Sequence, residues 1–388
     1  MTRAMTGEIT FLHSADWQLG MVRRFLGPDG QARFAQARLD AVARIGEVAS
    51  QTGAAFVVVA GDVFEHNQVE RQTILRAAEA LKRIDVPVLL VPGNHDALEP
   101  GSLWLSPQWR AHVPEHVTVL TDSTPHEVVP GVQVVAAPWR SRRPLTDPVA
   151  AAYDDLAPAG DVLRVLVGHG QFDELNGGLT DVPPIDVTAL ERALDDGRLH
   201  FVALGDRHSA TRVRDRIWYA GSQEVTSTEE SDAGNVLAVA LTPDSCEVTK
   251  HRVGTWHMIE YRTEVDGEES LHALEDWFAE LPDKERTYIR LGVSGSLSLP
   301  LLTRLDAMVD AQGEVFASVE RSAKQWLVRP MPQDADFEDL ALSGPARAAL
   351  DELRQALGTG DDEAAAALAL MHRLALNTST GATPRETG

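Results

Sequence analysis

Residues 86–96 read VPVLLVPGNHD. The apolar run Val88–Val91 is short and reads as a strand buried on both faces. It ends in residues that handle protons and metals. Gly93 permits a tight backbone turn. Asn94 offers a carbonyl oxygen, and His95 carries an imidazole able to donate a proton.

The same design recurs through residues 8–209. The runs EITFLHSAD, AAFVVVAGD, VQVVAAPW, RVLVGHG and HFVALGDRHS each pass from apolar to polar. Amphipathic stretches, ARFAQARLDAVARIGEVASQTG and VERQTILRAAEALKRID, separate the first three strands. In the former, Phe34, Ala37, Ala41, Ile45 and Val48 share one helical face and Gly53 follows as a C-cap. This alternation predicts a layered α/β core, where chemistry collects beyond the carboxyl ends of the strands. Asp16, Asp62, Asn94, His95, His169, Asp206 and His208 all fall there. One strand-ending Asp is an ordinary turn or helix cap. Five strands ending in Asp, Asn or His exceed what turn chemistry explains. In FLHSADWQLG (11–20), Gln18 follows Asp16 by two. Gly61 keeps the turn at Asp62 compact in GDVFEHN, and His169 stands between two glycines in GHG. In GDRHS, an extended backbone would turn Asp206 and His208 toward one cavity.

The composition is that of a globular protein, with 44% apolar residues. A single cysteine, Cys246, allows no internal disulfide and fits a reducing cytoplasm. The stretch MTRAMTGEITFLHSADW lacks an apolar h-region, and no apolar run approaches the roughly 20 residues of a membrane span. A cytoplasmic protein without membrane contact is expected. The net charge of −23 argues against whole-surface attraction to nucleic acid. The charge is uneven, however: residues 1–150 hold 14 Lys/Arg and 16 Asp/Glu, against 21 and 42 in residues 151–388. A local basic cleft remains open to the first part, where Arg140, Arg142 and Arg143 in PWRSRRP form the densest basic cluster.

The pattern changes after residue 250. The expected organisation is a main domain at 1–250, a small α/β domain at 251–330, and a linker, helices and a tail at 331–388. Residues 256–330 alternate strand and helix without a ligand-type cluster. Residues 345–376 are Ala/Leu-rich helix broken near GTGDD, and the tail from Asn377 reads as disordered.

Oxygen and imidazole donors without thiolate suit Mn, Fe or Zn, with Mn favoured where carboxylate and amide oxygens dominate. Two ions about 3.5–4 Å apart need a bridging carboxylate, and seven candidate donors are enough for two. D-x-Q, GD, GNHD, GH and GDxH, in this order across residues 9–225, resemble the motifs of the calcineurin-like metallophosphoesterases. HSADWQLG, GDVFEHN and the trailing small domain look like the SbcD-type DNA-repair nucleases. The resemblance implies a four-layer α/β/β/α core with a small α/β capping domain and C-terminal helices. It implies that Asp62 bridges two ions, with Asp16, Gln18 and His208 around one and Asn94, His169 and Asp206 around the other. His95 would then protonate the leaving oxygen or stabilise the transition state, and Asp96 would orient the loop or His95. A hydroxide activated by the ions would attack a DNA phosphodiester. The resemblance further implies an SbcC-like ATPase partner, met through the C-terminal helices, and a homodimer.

Gln18 and Asp206 depart from the family pattern, which has His at both. A neutral amide is expected to weaken the first ion's site or favour a hard ion, while Asp206 adds negative charge to the second. Two other functions follow different features. A small-molecule or cyclic-nucleotide phosphodiesterase suits the net charge but leaves the residues after the core without a role. A non-catalytic scaffold is the reading that the two departures favour. Arg140, Arg142, Arg143 and Arg207 are candidate contacts to substrate phosphate; a solvated loop and a solvated Arg strand at 212–216 are the plainer alternatives. His13 reads as strand end, His66 as a helix cap, and Trp17 and Trp104 as buried anchors. GSQE at 221–224 has no assigned role.

Overall fold

The computed structural model describes residues 7–172, 182–332, 334–337, 342–359 and 362–380. The chain divides into two compact units, residues 1–257 and 258–388.

The first unit rests on two six-stranded sheets. In one, β1 (Ile9–Ser14), β2 (Val57–Ala60), β3 (Val88–Val91) and β4 (Val117–Val119) run parallel. Antiparallel β11 (Asn235–Leu241) and β12 (Cys246–Arg252) extend it beyond β1, which carries the unit past residue 250. In the other, β6 (Val132–Ala136), β7 (Leu163–His169), β8 (Phe201–Gly205) and β10 (Ile217–Tyr219) run parallel, between antiparallel edges β5 (His126–Val129) and β9 (Thr211–Arg214).

Alternation along each strand builds the layers. Val57 and Val59 of β2 pack outward with α1 (Gly27–Thr52), α2 (Arg71–Leu81) and α3 (Pro107–His112). Val58 and Ala60 pack inward against Val134, Val165 and Phe201 of the other sheet. The far face of that sheet is covered by α4 (Pro148–Tyr153) and α5 (Val187–Asp195). The result is the four-layer α/β/β/α arrangement. Each fully buried Val, Ile or Phe stabilises it by roughly 1.5–3 kcal/mol. Pro28 lies in the first turn of α1, and Gly53 closes it at φ 65°.

The second unit holds β13 (His257–Val265), β14 (Thr287–Leu297) and β15 (Ser318–Pro330), with β14 central and parallel to β15. Helices α6 (Glu268–Glu280) and α7 (Leu299–Val315) contribute Leu271, Leu274, Phe278 and Leu305 to its core. Helices α8 (Pro345–Gly358) and α9 (Asp362–Thr380) follow, around a cluster of Leu299, Phe337, Leu350 and Leu368. Two expectations are corrected here. The proline- and acid-rich linker is anchored by Phe337, which is buried at the end of a short 3-10 helix, Asp334–Phe337. The tail read as disordered from Asn377 begins inside α9, which runs to Thr380; residues 381–388 lie outside those described. Among the described residues, no helix is long and apolar enough to cross a membrane.

Candidate metal centre

Five parallel strands, β1, β2 and β3 from one sheet and β7 and β8 from the other, point their carboxyl ends at one place. The loops that leave them are bent unusually. Of the five non-glycine residues at positive φ among those described, four are Asp16 (54°), Gln18 (41°), Asp62 (53°) and Asp206 (92°). Such conformations cost of order 1–3 kcal/mol each and persist only where the surroundings over-determine them. The surroundings are explicit. Asp16 N donates to the Gly61 carbonyl at 3.1 Å, and Gln18 N to the Asp62 carbonyl at 2.8 Å. The loops after β1 and β2 are therefore zipped together.

Asp62 sits at the middle. Its Oδ1 accepts from the His95 amide at 2.9 Å, and its Oδ2 lies 3.5 Å from His169 Nε2 and 4.0 Å from His95 Nε2. Gly93 makes this approach possible, because a Cβ there would stand 2.2 Å from Asp62 Oδ1. His169 Nδ1 donates to the Ala60 carbonyl at 2.8 Å, which turns Nε2 toward Asn94 Oδ1 at 2.8 Å, Asp62 Oδ2 at 3.5 Å and Asp206 Oδ1 at 3.5 Å. One N–H cannot satisfy three oxygens; a cation among them can. The donor atoms of Asp16, Asp62 and His169 all lie within 4.8 Å of one another.

On the other side of Asp62, the Gln18 amide donates to His208 Nε2 at 3.3 Å. His208 Nδ1 is held by Thr226 Oγ1 at 2.8 Å and Glu230 Oε1 at 2.9 Å, so its Nε2 lone pair faces the site. Gln18 is buried and its Oε1 has no hydrogen-bond partner. A buried acceptor oxygen left orphaned is costly and is the kind of atom a divalent cation takes up. Three carboxylates, two amides and two imidazoles make a donor set that fits a hard or borderline divalent ion.

Titration reflects the crowding of acids. Burial pushes Asp16 up to about 6, despite His169 and His208 nearby. Burial also opposes ionisation of Asp62, but the charge and hydrogen bond of His169, with His95, hold it below the usual carboxylate range. Burial works against the His169 imidazolium, yet Asp62 and Asp206 raise it well above the usual value.

The geometry places the remaining sequence candidates. Asp96 is fully buried; its Oδ1 accepts from Gly93 N at 2.7 Å and its Oδ2 from Phe64 N at 3.0 Å. It braces two ligand-bearing loops and makes no bond to the His95 side chain. Arg142 lines a cleft of about 220 Å³ with Asn94, Trp139 and Asp206. Arg140 and Arg143 are exposed in the same loop, and Arg207 is tied to Thr211 Oγ1 at 2.8 Å. Arg212 and Arg214 pair with Asp215 and Glu191 at the surface. His13 is buried within β1, and Trp17 and Trp104 are buried. His66 accepts from Gln68 N at 3.1 Å, capping a turn rather than a helix.

One sequence argument is corrected. Asp206 is not in extended backbone, so it and His208 do not face the same way by alternation. The turn at Asp206 sends its carboxylate toward His169, while His208 reaches Gln18. Glu230, Thr226 and Arg38 escaped sequence reasoning. Glu230 lies too far along the chain from His208 to signal a contact. Arg38 carried a signal, because it falls beside Ala37 and Ala41 on the apolar face of α1.

A model of the family described as calcineurin-like phosphoesterase matches residues 9–232, more than half of the chain. No curated protein matches. Among solved structures, one titled as the crystal structure of TT1561 of Thermus thermophilus is 12% identical, with a TM-score of 0.40, and the match covers 64% of this chain and 100% of that one. A second is 10% identical, with a TM-score of 0.38 and the same coverage.

Proposed function

The chain belongs to the calcineurin-like phosphoesterases, and from that premise we propose that it is a two-metal phosphodiesterase of SbcD type that cleaves DNA. The observation that supports this most is the convergence of seven ligand-type side chains, with Asp62 at their centre, from five strand ends of two sheets. Asp62 would bridge two divalent ions, manganese foremost. Asp16, Gln18 and His208 would hold one ion, and Asn94, His169 and Asp206 the other. Such ions, when bound, lower the pKa of water and neutralise phosphoryl charge.

The chain's own groups supply the rest. His95 Nδ1 donates to the Glu65 carbonyl at 2.8 Å, so its Nε2 faces the site, and the side chain is 37% exposed. A substrate can therefore reach Nε2, and a proton held there passes to the leaving oxygen. Asp96 keeps the loop of Asn94 and His95 in register with that of Asp62. Arg142, which lines the cleft with Asn94 and Asp206, would meet a phosphate next to the scissile one, and Arg140 and Arg143 would add positive charge in the same loop. Three neighbouring arginines on a strongly acidic chain favour a polyanion over a small diester. Residues 258–388 are assigned, on the resemblance alone, to capping and to docking an SbcC-like ATPase.

Full-length protein with Mn²⁺ should cleave linear duplex or single-stranded DNA, and Asp62→Ala and His95→Ala should abolish it. Turnover of bis-p-nitrophenyl phosphate alone would move the substrate to small diesters. Metal binding without any turnover would leave a scaffold.

A further inference from the structure

Arg38 lies in the middle of α1 and is 1% exposed. Its neighbours on that helix face, Phe34, Ala37 and Ala41, are apolar, so packing alone asks for no cation there. Taking a guanidinium out of water is costly unless it is fully engaged. Among the described residues, no carboxylate lies within ion-pair distance of it. Its partners are backbone carbonyls instead. Nε donates to Trp17 O at 3.0 Å and Nη2 donates to Trp17 O as well. Nη2 also reaches Asp16 O at 3.4 Å, and Nη1 donates to Glu224 O at 3.3 Å. Gln223 Nε2 adds a further bond to Trp17 O at 3.1 Å.

The Asp16 and Trp17 carbonyls belong to the strained segment that carries two of the seven donors. Asp16 and Gln18 both have positive φ, and their amides are already tied to the loop of Asp62. Amides held on one side and carbonyls on the other leave the segment one shape. A planar fork of five donors engages carbonyls of two loops at fixed angles, which a point-like ammonium does not. The loop of Glu224 is in turn joined to His208, whose carbonyl accepts from Ser222 N at 3.0 Å. Arg38 thus stands behind all three donors on one side of Asp62 and touches none on the other.

We propose that Arg38 is a positioning residue for one of the two ions: its fork on the carbonyls of Asp16, Trp17 and Glu224 holds Asp16, Gln18 and His208 in ligating position. This rests on the two-ion reading above. Arg38→Lys keeps the charge and removes the fork, so it isolates geometry from electrostatics. Mn²⁺ binding is titrated by loss of the free-ion EPR signal, beside thermal melting of the metal-free protein. Wild type should take up two ions. Arg38→Lys should keep one with unchanged affinity and bind the other at least tenfold more weakly, while its melting remains cooperative. Gln223→Leu, which removes one donor from the same Trp17 carbonyl, should weaken that same ion several-fold. If Arg38→Lys does not fold, the Gln223 variant decides alone. Two ions bound with wild-type constants in the folded variants, or equal weakening of both ions, would overturn the proposal. Failure of wild type to bind two ions would instead sink the two-ion reading itself.

Discussion

The two sides of Asp62 carry the same chemistry and are held in different ways. Asp16, Gln18 and His208 offer a carboxylate, an amide and an imidazole. Asp206, Asn94 and His169 offer the same three. The departures at Gln18 and Asp206, read in sequence as a weakening on one side and added charge on the other, together make the donor sets match. What differs is the scaffold. His169 is fully buried at the end of β7 and fixed by the Ala60 carbonyl. On the other side, Thr226 and Glu230 hold His208, and Arg38 holds the Trp17 carbonyl beside Gln18. With equal donors, unequal affinity must come from how firmly each set is held. The side built on Asp16 and Gln18 is therefore expected to lose its ion first.

The largest effect should come from removing what both sides share. Asp62→Ala should release both ions and lower hydrolysis of bis-p-nitrophenyl phosphate roughly 10³-fold, the scale of losing a main electrostatic stabiliser; retained binding of two ions would show that the sides are independent. His95→Gln should cut kcat about 10²-fold, typical for a lost general acid, while Mn²⁺ titration still shows two ions. Next comes the less firmly held side alone. Glu230→Gln should weaken one ion by about 10–100-fold, as loss of a carboxylate behind a ligating imidazole does, and spare the other. Equal weakening of both would break the comparison. Gln18→His should sharpen it: a second imidazole on that side should raise zinc over manganese preference by about tenfold, read by competition titration. The smallest effect belongs to Arg142→Ala, expected to raise KM for DNA a few-fold and to reduce the salt slope of binding by about one.

Much of this site was legible because strands buried on both faces leave apolar runs that stop abruptly, and their stops carry the donors. Asp16, Asp62, Asn94 and His169 were all visible in that way. Direction was less legible than position. The backbone at Asp206 turns through φ 92°, which no alternation rule anticipates, and it separates two residues that sequence reasoning had facing together. The support was least legible. The apolar face of α1 marks Arg38 as buried but not what it holds, and Glu230 is joined to His208 only by folding. Phe337 shows the same limit in the second unit: its flanking acids and prolines read as linker, while its ring is packed in a core cluster.

The central claim is that one carboxylate joins two equivalent donor sets. Anomalous diffraction at the manganese edge from Mn²⁺-soaked crystals tests it most directly. Two peaks about 3.5–4 Å apart, both within ligand distance of Asp62, are predicted, with the peak beside Asp16 and Gln18 the weaker at limiting metal. A lone peak, or peaks that do not share Asp62, would contradict it.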